Sequence, residues 1–101
     1  MKTLLNLTAA VLFSSLASVS FAGDAAAGKA KSMTCAGCHG ANGISNNPMW
    51  PNLAGQKQAY LASALQMYRD GGRKNAMMTA MAKNLTDADI ANLAAYYSGL
   101  K

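Results

Sequence analysis

Histidine occurs once in this chain, cysteine twice and tryptophan once, and the acidic residues number four, all of them aspartate. A zinc site built from side chains usually takes four Cys or His ligands, and this inventory is one short. No paired carboxylates stand ready for general acid–base work. There is no Ser/His arrangement for nucleophilic catalysis and no glycine-rich phosphate loop. No stretch alternates apolar and polar residues with period two over a useful length, so strands are not expected. Internal repeats and low-complexity segments are also missing. Basic residues gather only at Arg69, Arg73 and Lys74, which falls short of the dense stripe that nucleic acid binding requires.

What is present begins with a leader. Met1 and Lys2 give a positive start, the apolar stretch Leu4–Phe13 follows, and Ser20-Phe21-Ala22 sets small residues at the −3 and −1 positions of a cleavage site. This pattern is that of a secretory signal peptide, 1–22, removed after Ala22. The alternative, a membrane anchor, fits less well because Asn6 and several serines interrupt a run already short for a bilayer. No stable membrane insertion is therefore expected after cleavage. The first cysteine is Cys35, too far along for a lipid anchor at the leader's end. Cleavage leaves Gly23–Lys101 as one domain and, with Lys2 gone, lowers the formal charge from +5 to +4. A domain of this size struggles to bury enough apolar surface and usually needs a disulfide, a metal or a cofactor. Its aromatics are only Trp50, Tyr60, Tyr68, Tyr96 and Tyr97, a thin core unless something large and apolar joins it.

The chain reads as all-α, with three main helices. Asp24 to about Met33 is rich in alanine and lysine, with Gly23 or Asp24 as cap. Leu61, Ala64, Leu65 and Tyr68 recur at helical spacing before Gly71-Gly72, which marks a second helix and its end. Thr86-Asp87-Ala88-Asp89 is a helix start, and Ile90, Leu93, Ala94 and Tyr97 form one apolar face behind it. Between these lie Gly37–Gly55, which holds both prolines, and Arg73–Asn84 with three methionines; both read as loop. Loops this long in so small a domain need something to order them, and a ligand is the expected source.

Cys35-Ala36-Gly37-Cys38-His39 supplies the chemistry. C-x-x-C-H is the attachment signature of c-type haem. Two cysteines three apart near a helix end can add across the two vinyl groups on one side of a porphyrin, and the adjacent histidine then reaches the iron. A plain Cys35–Cys38 disulfide would close too small a loop to stabilise a fold. A thioredoxin-like redox pair expects a βαβ context that this chain does not offer. With His39 the only histidine, a bis-histidine iron site within one chain is excluded.

Together with that motif, Pro51-Asn52-Leu53-Ala54-Gly55-Gln56, Leu85-Thr86-Asp87-Ala88-Asp89-Ile90 and Leu93-Ala94-Ala95-Tyr96-Tyr97 carry a family likeness. The chain resembles the class I c-type cytochromes, in particular the small bacterial monohaem proteins of the cytochrome c-553 type. It is also similar to single domains of the dihaem periplasmic cytochromes. The resemblance spans essentially Gly23–Lys101. It implies a cytochrome c fold whose first and last helices cross, with Gly28 at the crossing and Tyr96 or Tyr97 opposite. It implies that the carbonyl of Pro51 accepts the N–H of His39, which fixes the tautomer and strengthens the donor nitrogen. Trp50 and Tyr60 are expected on the haem or near its propionates, although ordinary core aromatics would look the same. The family's second axial ligand is a methionine in the loop before the last helix, where Met77, Met78 and Met81 stand. In related sequences it precedes by seven positions the apolar residue that opens the final helix start. That residue is Leu85, which gives Met78. Side chains alternate in an extended loop, so Met77 and Met78 should not both face the iron; Met81 or Met77 stays open as the alternative.

With both axial positions filled, no coordination site is left for a substrate. A periplasmic one-electron carrier holding one covalent haem c is the expected function, rather than an enzyme. The expected partners are redox proteins with acidic docking surfaces, and a monomer is expected. The alternatives are a dedicated cytochrome subunit of a periplasmic oxidoreductase, or a haem enzyme or gas binder if the methionine ligand is absent.

Overall fold

The structure, a computed structural model, describes residues 23–101; the expected signal peptide lies outside them. Helix α1 spans Ala25–Lys31 and begins where the Asp24 carboxylate accepts the amides of Ala26 and Ala27. It runs into a 3₁₀ turn, Ser32–Thr34, and then a single helical turn, α2, Ala36–His39. After an irregular stretch come α3 (Gln58–Asp70), α4 (Ala76–Ala82) and α5 (Asp87–Ser98). Gly71, at φ 89°, ends α3 in the left-handed conformation that glycine adopts without a Cβ penalty. Among the described residues there is no strand, and no helix is long and apolar enough to cross a membrane.

The three main helices expected from the sequence are α1, α3 and α5. The segment 73–84, read above as loop, instead contains α4. Its residues explain the difference. Ala76-Met77-Met78-Thr79-Ala80-Met81-Ala82 is mostly alanine and methionine, which lose little on entering a helix. The Asn75 side chain accepts the amide of Met78 at 3.0 Å and caps the first turn. The segment is too short for periodicity to reveal it.

Helices α1 and α5 cross where Gly28 is buried. A Cβ on Gly28 would run into the carbonyl oxygen of Asn92 and approach the Cβ of Tyr96 to 2.8 Å, so only glycine permits this approach. Asp24 adds a tie from its amide to the Asn92 side-chain oxygen at 2.8 Å. The core forms where α3 meets α5: Leu61 packs with Leu93, Ala94 and Tyr97, and Cys35, Leu53, Leu65 and Leu85 close around them. Ile90 and Leu93 are the largest fully buried side chains; burial of each is worth about 1.5–3 kcal/mol. This small core fixes the frame from which the segments 35–56 and 71–86 are hung.

Candidate haem-attachment site

The 3₁₀ turn delivers the chain to Cys35, which closes it through its amide on the Ser32 carbonyl at 2.8 Å and at once caps α2. The amides of Cys38 and His39 both donate to the Cys35 carbonyl, at 3.3 and 3.0 Å. Residues three and four apart on such a turn are surface neighbours, so Cys35, Cys38 and His39 share one side of α2. Gly40, at φ 88°, stops the helix directly after the histidine; a side chain there would collide with the Ile44 carbonyl. Both cysteines are half-buried free thiols. Burial pushes the Cys35 thiol above its ordinary value, with the Thr34 hydroxyl opposing weakly, so it stays a neutral thiol at neutral pH.

His39 is buried, and its Nδ1 lies 2.7 Å from the Pro51 carbonyl oxygen. A carbonyl only accepts, so Nδ1 carries the proton and donates. The lone pair therefore resides on Nε2, the nitrogen left free to bind a metal. Pro51 is held in turn by its neighbours. The amides of Leu53 and Ala54 donate to the Gly43 carbonyl at 2.8 and 3.0 Å, and Gly55 donates to the Tyr97 carbonyl at 2.9 Å. Asn52 accepts the amide of Ser45 at 2.7 Å, while the Ser45 hydroxyl donates to the Asn47 carbonyl at 2.9 Å. The stretch between α2 and α3 is thus ordered in part by its own hydrogen bonds, not by a ligand alone as the sequence suggested. Ser45 and Asn52 were missed as contributors; their turn-forming chemistry was the only signal, and their pairing depends on the folded loop.

Trp50, beside Pro51, is half-buried, whereas Tyr60 on α3 is half exposed and its hydroxyl lies 3.4 Å from Arg73 Nη1. Helix α4 separates its methionines by face. Met77 and Met81, four apart, are 56% and 49% exposed, whereas Met78 is half-buried and stands one turn before the fully buried Ala82. Alternation in an extended loop therefore does not apply; helical rotation separates Met77 from Met78 instead.

These residues fit a haem. The donor set is one imidazole with a fixed tautomer, two thiols one turn apart and thioethers on a separate segment. Among the described residues no three His, Cys, Asp or Glu side chains gather as a metal cluster of their own. The surface also exposes large apolar groups, including Ile44, Met49, Tyr60, Met77 and Met81, which an apolar porphyrin suits and water does not.

The family model for cytochrome c matches residues 25–101. The chain belongs to the cytochrome c family. It is 55% identical over 80 residues to cytochrome c-554(548) of Halomonas halodenitrificans, covering 76% of this chain and 96% of that one. It is 48% identical over 80 residues to cytochrome c4 of Pseudomonas aeruginosa, where it covers 79% of this chain but only 40% of the relative. The reduced cytochrome c4 from Pseudomonas stutzeri superposes with a TM-score of 0.76 at 43% identity, over 79% of this chain and 47% of that chain. This cytochrome c domain therefore spans nearly the whole of one relative and less than half of another. Its cofactor is covalently bound haem c, and the protein is an electron carrier rather than an enzyme.

Proposed function

We propose that this cytochrome c is a periplasmic one-electron carrier, matured by cleavage after Ala22, in which Cys35 and Cys38 hold the haem and His39 and Met78 bind its iron. The observation that carries this reading is the 2.7 Å contact from His39 Nδ1 to the Pro51 carbonyl, because it puts the proton on Nδ1 and leaves the lone pair of Nε2 for the iron. When bound, haem supplies an iron that changes oxidation state by one electron.

The chain's own residues do the rest. Cys35 and Cys38, both free thiols, would hold the haem by each adding S–H across one vinyl group, a reaction that would need no oxidant. The short α2 turn keeps the two sulfurs and the imidazole on one rigid element. The Pro51 carbonyl holds the imidazole in one tautomer and raises its basicity. Met78, a neutral soft donor, favours ferrous iron and raises the potential relative to a second histidine. With His39 and Met78 both supplied by this chain, the iron they would hold could change oxidation state without exchanging a ligand.

The test is a spectroelectrochemical titration of the purified holoprotein with and without carbon monoxide. A one-electron wave that carbon monoxide does not shift is expected. Rapid carbon monoxide binding to the ferrous protein would instead place it with haem enzymes or gas binders. A second reading, a dedicated cytochrome subunit of a periplasmic oxidoreductase, draws on the likeness to the cytochrome subunit of sulfide dehydrogenase of Chlorobaculum tepidum, 34% identical over 73 residues. Co-purification with a larger redox enzyme would favour it; the haem chemistry would be the same.

A further inference from the structure

Between Asp70 and Asp87 the chain leaves the α3–α5 frame, forms α4 with its three methionines, and returns. Two arginines secure its ends. At the departing end the Arg73 amide donates to the Met67 carbonyl at 3.1 Å, and the Arg73 guanidinium lies 4.7 Å from the Tyr68 ring centroid. At the returning end one guanidinium does more. Arg69 Nη1 donates to the Leu85 carbonyl at 3.2 Å and to Asp87 Oδ1 at 2.8 Å. Its Nε and Nη2 donate to Asp70 at 2.9 and 3.2 Å. The last turn of α3 is thereby joined to the first residue of α5 and to the backbone just before it. The Arg69 side chain is 19% exposed although its partners are open, at 62% for Asp70 and 80% for Asp87. A covered guanidinium with a fork of donors loses less to solvent than an exposed ion pair.

We propose that Arg69 is a positioning residue for the iron's sulfur ligand, the clamp that keeps the segment 71–86 closed. The proposal rests on the reading that a methionine of α4 binds the iron, and it holds whichever of the three does so. A thioether is a weak, neutral donor, so its residence on the iron depends on how often the segment carrying it opens. Such local openings are governed by few contacts and occur far more often than global unfolding. Arg69 reaches a backbone carbonyl of the segment itself, and so acts on that opening directly. Lys31 and Asp89, 3.5 Å apart where α1 and α5 meet, form an ion pair outside the segment and provide the control.

The test mixes ferric holoprotein with imidazole, which must displace the methionine, and follows the limiting rate of binding by stopped flow. Arg69→Ala should raise that rate about tenfold, the ratio that one lost charge-assisted hydrogen bond gives. The resting sulfur-to-iron charge-transfer band should persist, and the thermal midpoint should fall no further than in Lys31→Ala. Arg69→Lys should fall between wild type and Ala, and serves if the Ala variant yields no holoprotein. Lys31→Ala should leave the rate unchanged. A rate in Arg69→Ala within about twofold of wild type, or an equal rise in Lys31→Ala, overturns the clamp while leaving the methionine reading intact. Retention of the charge-transfer band in Met77→Ala, Met78→Ala and Met81→Ala alike removes the methionine reading, and the clamp with it.

Discussion

Gly28 and His39 show how much a single residue settles here. At Gly28 the added methyl of alanine meets a carbonyl oxygen and the Tyr96 Cβ, neither of which can retreat without parting α1 from α5. Gly28→Ala should therefore destabilise the holoprotein by about 1–3 kcal/mol or more, read as a lowered denaturant midpoint. An unchanged midpoint would show that the crossing is not tight. The role of Gly28 was legible through the family resemblance, as was the Pro51 carbonyl opposite His39. Asn92 was not. Its bond to the Asp24 amide joins residues 68 apart, and no local pattern announces a contact of that kind.

At the scale of the elements, α5 was legible and α4 was not, for the same physical reason seen from two sides. Helix α5 is long enough to repeat its apolar face, and Ile90, Leu93, Ala94 and Tyr97 are all buried as that face predicts. Its start is a full capping box: Thr86 Oγ1 accepts the Asp89 amide at 3.0 Å, and Asp89 Oδ2 accepts the Thr86 amide at 3.0 Å. Thr86→Ala should cost about 1 kcal/mol, measured by denaturant unfolding. The Thr86 amide, with its hydroxyl and Lys31 adding less, holds the Asp89 carboxyl below the usual carboxylate range. A depressed folded value means the stabilisation is present above the unfolded pKa of about 4 and is lost as pH falls through the folded one. Asp89→Asn should accordingly be less stable than wild type at neutral pH, where the carboxylate's contribution is fully present, and should flatten the acid limb below about pH 4, so that the difference between the two shrinks as pH falls. An acid limb identical to wild type would remove Asp89 from the account. Helix α4, at seven residues, is shorter than the roughly 11-residue window in which an apolar period shows, so its alanines and its Asn75 cap are the only local signal.

For the whole molecule, charge and haem act together. The expected mature chain carries +4; a ferric porphyrin core adds about +1 and two propionates about −2, which leaves the oxidised holoprotein near +3. Electron transfer to an acidic partner should slow as salt rises, since steering is screened over about 10 Å at 0.1 M. Rates that stay flat with ionic strength would point to an apolar contact at the haem edge. The proposed ligands, His39 fixed by Pro51 and Met78 on α4, both come from this chain. The most direct test is the sulfur-to-iron charge-transfer band of the ferric holoprotein in wild type and in Met77→Ala, Met78→Ala and Met81→Ala. Only Met78→Ala should lose the band, with a lowered potential and new carbon monoxide binding; a Met78→Ala protein that keeps the band would rule out Met78 as the ligand.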